Sequence, residues 1–228
     1  MIIVVGNEKG GVGKSLISFN LAAYLSANGE KVCLIDVDTQ KTVSNWAGAA
    51  VDRNRPTSFV VVEQTVNPSS AAAQLDKSYG VVIVDMGARD YSKFKDLAAV
   101  ADLFIAPTRV GQGDLESLVS LSHAMNSFAS FRSTPLPFVT VLNAVSSPRE
   151  ADDAREALHQ SLAYGQVIKH FLKDRIVWRE AHRDSQSIFD VKPRSRAEAA
   201  ISDFEAVLTE ILDIYKQSTS SPSSSKQE

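Results

Sequence analysis

The chain alternates between two textures. Six short stretches, Ile2–Val5, Lys31–Ile35, Phe59–Val62, Val81–Val84, Leu103–Ala106 and Pro137–Leu142, are dominated by consecutive apolar, often β-branched residues. Stretches of this length without polar alternation predict strands buried on both faces. Between them, apolar positions recur every three or four residues. That spacing predicts helices over Ser15–Ala27, Asn67–Asp76, Ser92–Val100, Asp114–Phe128, Arg149–Leu162 and Arg196–Tyr215. Asn28–Gly29 closes the first helix. Strands that alternate with helices imply a mostly parallel sheet covered on both sides, and right-handed crossovers make it a doubly wound α/β fold. Ligands bind such sheets at the carboxyl ends of the strands. Gly6, Asp36 and Asp85 all fall at those ends.

Composition narrows the possibilities. The chain has 228 residues, 44% of them hydrophobic and 22% charged, which suits a folded chain of one large domain or two small ones. No apolar run approaches the roughly 20 residues that span a bilayer, and the start lacks the basic region and cleavage site of a secretory signal. The one cysteine, Cys33, cannot form an internal disulfide or, alone, a zinc site, and its apolar neighbours predict a buried thiol. His123, His159, His170 and His182 show neither metal-ligand spacing nor a Ser-His-Asp arrangement. Residues 218–228 are serine-rich and nearly free of apolar side chains, so they are expected to form a flexible tail behind a single domain at 1–217.

The densest chemical signal is Glu8-Lys9-Gly10-Gly11-Val12-Gly13-Lys14-Ser15, placed between a strand and a helix. Glycines let backbone N–H groups close around phosphate oxygens, and the helix that follows turns its positive end to the same place. At this offset Lys14 reaches the β- and γ-phosphates, and the Ser15 hydroxyl ligates Mg²⁺. The strict pattern would place glycine where Glu8 stands, and it lacks the additional lysine, Lys9. Lys14 already serves one triphosphate. Lys9 is therefore either a solvated loop lysine or a group that reaches a neighbouring chain's nucleotide. Asp36 and Asp85 flank the loop and suit a site for a hard, partly hydrated ion. A helix N-cap is the common alternative for a strand-end aspartate; Asp114 is read as one, Asp36 and Asp85 are not.

The loop resembles the deviant Walker A motif of the ParA/MinD-type ATPases, Lys-Gly-Gly-x-x-Lys-[Ser/Thr]. Similarity continues through Leu34–Gln40, which resembles the second strand and switch I, and through Ser44-Asn45-Trp46. It extends to Val81–Asp85 as a Walker B strand, Ala101–Pro107, Gly113–Leu115, Arg175–Ala181 and Ser187–Asp190. It covers roughly residues 1–215 and is nearest to small plasmid partition ParA proteins of the ParF group, which also open directly on the first strand. Thr39 stands where that family usually has proline, and Met86-Gly87-Ala88 replaces Thr-Pro-Pro.

The resemblance implies an ATPase that uses ATP and Mg²⁺. Gly10, Gly11, Val12, Gly13, Lys14, Ser15 and Leu16 would hold the phosphates, and Ser15, Asp36 and Asp85 the metal and its water. Lys9 would contact the opposite subunit's ATP in a nucleotide-sandwich homodimer, and Asp38 would orient the attacking water. Asn143 lies where the family often places an adenine-binding asparagine; its position fits a strand-end turn residue equally well.

Residues 169–196 carry eight basic and four acidic side chains in a chain whose net charge is −3. The family binds DNA nonspecifically through C-terminal basic residues, and phosphate contacts of that kind need charge alone. Composition by itself favours an ordinary solvated face. The expected function is a cytoplasmic, nucleoid-associated partition ATPase stimulated by a ParB-like or centromere-binding partner, without a membrane. The rivals are a ParA-like positioner of a protein cargo such as a chemoreceptor cluster or carboxysome, a MinD-like membrane switch, and a biosynthetic P-loop enzyme related to dethiobiotin synthetase.

Overall fold

The computed structural model describes residues 1–88 and 91–220. Its strands are β1 (Ile2–Val5), β2 (Val32–Asp36), β3 (Val60–Glu63), β4 (Val81–Asp85), β5 (Leu103–Thr108), β6 (Phe138–Val145), β7 (Gln166–Val167) and β8 (Leu172–Lys173). The α-helices are α1 (Lys14–Ala27), α2 (Thr42–Asp52), α3 (Pro68–Leu75), α4 (Tyr91–Val100), α5 (Gln112–Ala129), α6 (Pro148–Ser161), α7 (Ile176–Arg183) and α8 (Glu198–Ser220). The sheet order is β3-β2-β4-β1-β5-β6-β7, with β8 also paired to β6, and the described pairings are parallel. This is the doubly wound arrangement that the alternation of strand and helix implies.

Side chains alternate across the sheet with period two. Ile3, Val5, Leu34, Ile83 and Ile105 pack against α1, α2, α7 and α8. Ile2, Val4, Cys33, Val82 and Phe104 pack against α3 to α6. Every residue of β1, β2 and β4 is buried, which explains why these strands carry no polar alternation. Cys33 is a buried free thiol whose pKa desolvation pushes up to about 11.

Several elements depart from the sequence reading. The hydrophobic pattern does not predict helix α2. It docks by stacking Trp46 on Phe19 of α1, with ring centroids 3.9 Å apart, while Phe59 meets the same Phe19 ring edge-on at 5.2 Å. The pattern also does not predict helix α7 or the two-residue strands β7 and β8; the strands cover successive stretches of β6's outer edge. Asp114 is not an N-cap: Gly111 caps α5 and Asp114 lies in its first turn. Ser218–Ser220, assigned to the tail, continue α8, and the remainder of that tail, 221–228, lies outside the described residues.

Candidate nucleotide site

The parallel pairing brings the ends of β1, β2, β4, β5 and β6 to one edge of the sheet. Asp36 and Asp85 are direct partners in the β2–β4 register. A cleft of about 750 Å³ opens there. Gly10, Gly11, Gly13, Lys14, Ser15, Leu16, Asp38 and Asn143 line it, together with Arg109, Lys173, Trp178, Arg179 and His182.

The loop between β1 and α1 is held from several sides. Val12 is fully buried. Asn143 Nδ2 donates to Val12 O at 2.8 Å, so the asparagine at the end of β6 ties down the loop. Gly13 has φ +104°, and a Cβ there would fall 2.0 Å from Asn143 Nδ2. Glycine is therefore required at 13 by both backbone conformation and space. From that turn α1 starts at Lys14 and presents the unpaired amides of its first turn to the cleft.

Lys14 is 6% exposed, and its Nζ donates to Lys9 O at 2.8 Å. Desolvation lowers its pKa, opposed by attraction to Asp85 and Asp38. Lys9 behaves differently. Its amide donates to Asn7 Oδ1, but its side chain is exposed and does not line the cleft. The Lys9 ammonium instead lies at the start of α5, 4.0 Å from where a Cβ on Gly113 would stand.

Asp85 is completely buried and accepts Ser15 Oγ at 2.7 Å and Ser18 Oγ at 2.8 Å. Burial pushes its pKa up to about 7, against the two hydroxyl hydrogen bonds and Lys14, while the Asp36 charge adds to the rise. Ser18 lies outside the loop's sequence signature; its signal is the three-residue spacing from Ser15, which places both hydroxyls on one face of α1. Asp36 Oδ1 accepts the Asp38 amide at 3.1 Å and Oδ2 accepts the Ser44 amide at 2.8 Å. Ser44 is in the first turn of α2, whose N-cap is Lys41, so Asp36 is not that cap, as expected, and satisfies an amide of the turn from the end of β2. Asp38 is half-buried and accepts the Gln40 amide at 2.9 Å. A Cβ on Gly87 would come within 3.1 Å of Asp38 Oδ1, so the glycine after β4 lets the loops that follow β2 and β4 pack closely.

These groups suit Mg²⁺. Among the described residues no cluster of three or more His, Cys, Asp or Glu could hold a metal. Mg²⁺, however, takes most of its ligands from water and phosphate. Ser15 Oγ offers the direct oxygen, and Asp85 behind it is a buried carboxylate short of positive charge.

The state of Asp85 gives a prediction for the nucleotide-free protein. Between its ordinary value of 3.8 and about 7, folded Asp85 holds a proton that the unfolded chain releases. Its contribution to stability therefore falls as pH rises through that window. Thermal melting between about pH 4.5 and 7.5 should show a steeper fall for wild type than for Asp85→Asn. Parallel curves would show that Asp85 is ionised throughout.

The glycine loop between strand and helix, with Lys14 and Ser15 at its end and aspartates on the neighbouring strands, defines a P-loop nucleotide-binding protein. The chain belongs to the CobQ/CobB/MinD/ParA nucleotide-binding family, whose model matches residues 3–188. It is similar to Maintenance of carboxysome distribution protein A of Gloeobacter kilaueensis, 33% identical over 124 residues, 54% of this chain and 55% of that protein. It is also similar to Chromosome partitioning protein ParA of Caulobacter vibrioides, 39% identical over 61 residues, 27% of this chain and 23% of that protein. The chain thus spans about half, or less, of the length of the curated relatives it matches.

Two solved structures share the fold. One is a putative plasmid partition protein of Borrelia burgdorferi bound to AMPPNP, with a TM-score of 0.70 and 18% identity, covering 95% of this chain and 98% of that one. The other is the Cyanothece McdA–ATP complex, with a TM-score of 0.70 and 13% identity, covering 99% and 98%.

The basic stretch 169–196 is less available than its composition suggests. Arg175 pairs with Asp203, Arg179 with Asp174, Arg183 with Asp184 and Arg196 with Glu180. Arg179 and Lys173 also line the nucleotide cleft. Lys169, Lys192 and Arg194 remain as exposed cations without an ion pair among the described residues.

Proposed function

We propose that this chain is a ParA-type partition ATPase that binds ATP with Mg²⁺, pairs with a second copy across the nucleotides, and holds DNA nonspecifically while paired. The observation that carries the reading is the opposite placement of the two loop lysines. Lys14 is buried in the cleft, whereas the Lys9 ammonium stands outside it, free to serve another copy.

In this reading the amides of Gly10 to Leu16 and the Lys14 ammonium bind the phosphates. Ser15 holds Mg²⁺ and Asp85 its water. Asp38, carried on the loop that Asp36 anchors, orients the attacking water. Asn143 keeps the loop in place and borders the space for adenine. Mg²⁺ supplies charge neutralisation at the β- and γ-phosphates. Phosphoryl transfer to water is then mostly a matter of positioning and charge, so a copy without its partner's Lys9 hydrolyses slowly. A ParB-like or centromere-binding adaptor would accelerate the step and release the DNA. The site of action would be the cytoplasm, on the nucleoid; among the described residues no helix is long and apolar enough to cross a membrane.

A second reading, that the cargo is a protein assembly, is favoured by the similarity to the carboxysome distribution protein. The partner reads the cargo, so both readings share one ATPase cycle.

DNA binding tests the proposal. Binding should require ATP, ignore sequence and weaken with salt. Lys169, Lys192 and Arg194 give about six phosphate contacts per dimer, hence a slope of log affinity on log salt of about −5. Equal affinity with ADP, or marked preference for one sequence in competition, would reject DNA binding as proposed.

A further inference from the structure

Arg109 follows directly on β5, and its backbone is fixed beside the start of the phosphate loop. Gly6 N donates to Ile105 O at 3.0 Å, and Asn7 Nδ2 donates to Pro107 O at 2.7 Å. Thr108, fully buried, donates its hydroxyl to Arg109 O at 3.1 Å and lies 3.3 Å from Asp114 O. From this anchored root Arg109 lines the cleft with Gly10, Gly11, Lys14 and Asp38. It is exposed and makes no ion pair or side-chain hydrogen bond among the described residues. Arg179, on the cleft wall, is by contrast paired with Asp174 at 2.7 Å.

The end of the cleft that Arg109 occupies can be read from Lys14. A lysine at this point of a phosphate loop serves the β- and γ-phosphates. Its Nζ lies against Lys9 O, at the start of the loop, and that start is what Asn7 ties to Pro107. A guanidinium is always charged and offers paired donors that match phosphate oxygens.

We propose that Arg109 binds the terminal phosphate of the nucleotide held by its own chain and makes the cleft discriminate ATP from ADP. The inference rests on the reading of this cleft as an ATP site. It gives the triphosphate two cations in cis, Lys14 and Arg109, and leaves Lys9 to the partner.

Calorimetry of ATP and ADP binding to wild type, Arg109→Ala and Arg109→Lys tests it. Arg109→Ala should weaken ATP binding roughly tenfold or more, the loss of a charge-assisted hydrogen bond, and leave ADP within about twofold. Arg109→Lys should fall between, because it keeps the charge and loses the fork. The melting temperature without nucleotide should stay at the wild-type value, since the side chain has no ion pair or side-chain hydrogen bond to lose among the described residues. Unchanged ATP affinity, or equal loss for ATP and ADP, overturns the role. Repeating the titration in a Lys9→Ala chain separates cis from trans: a loss that vanishes there assigns Arg109 to the partner's nucleotide and overturns the proposal as stated. Wild type that binds neither nucleotide overturns the ATP site itself, whereas wild type that binds ATP with an indifferent Arg109→Ala overturns this inference alone.

Discussion

Lys14→Ala is expected to weaken ATP binding by roughly thirtyfold or more. The ammonium is buried against Lys9 O, within the attraction of Asp85 and Asp38. A charge held so deep is costly to desolvate, and the cost is repaid when phosphate oxygens arrive. Removing one partner of such a buried, hydrogen-bonded charge pair costs about 2–5 kcal/mol. That corresponds to roughly thirtyfold to several thousandfold in affinity. Arg109 and the amides of α1 remain, but the ammonium that sits against Lys9 O at the loop's start is gone. Lys14→Met keeps the aliphatic stem and its packing and should fail in the same way, which separates loss of the cation from loss of the fold. Calorimetry with ATP, alongside melting of the nucleotide-free variants, is the measurement. Either variant binding ATP with wild-type affinity while folded would show that this loop does not cradle a triphosphate.

The parts of this site that were legible in the sequence are those whose chemistry is local. Glycines, lysine and serine at fixed offsets after an apolar run define the loop without any distant residue, and aspartates at strand ends announce themselves by position. What escaped the sequence depends on partners far along the chain. Helix α2 has three buried residues, Val43, Trp46 and Ala50, and is held largely by Phe19 on another helix. Strands β7 and β8 are two residues long and exist because β6 offers an edge. The sequence reads Asn143 as an adenine contact or a turn residue; that its amide also ties down Val12, 131 residues away, depends on the fold. The charge count of the basic stretch carries no pairing, and Arg175 finds its counter-ion on α8, at Asp203. Arg109 carries no motif at all; only the closeness of the β5 end to the phosphate loop brings it into the cleft.

Lys9→Ala is expected to bind ATP nearly as well as wild type and to fail to dimerise with it. Lys14, Arg109 and the first-turn amides of α1 are untouched, so the nucleotide keeps its cis partners. The exposed Lys9 ammonium stands at the start of α5, outside its own cleft, and contributes little to its own copy's phosphates. In a two-fold symmetric dimer each copy's Lys9 would meet the other's triphosphate, so one substitution removes two contacts. Each is a charge pair that becomes desolvated on closure, worth about 2–5 kcal/mol when one member is deleted. Losing two exceeds what a switchable dimer can spare, and leaves two triphosphates facing each other across the interface uncompensated. DNA binding and partner-stimulated hydrolysis should disappear together, because in the proposed cycle both follow from pairing. Lys9→Arg should restore pairing only in part, since the fork is larger than the ammonium it replaces. Light scattering with ATP and with ADP, wild type beside Lys9→Ala, reads the result directly. Dimerisation of Lys9→Ala with ATP at the wild-type concentration would make Lys9 an ordinary loop lysine and would remove the nucleotide sandwich from the mechanism of this protein.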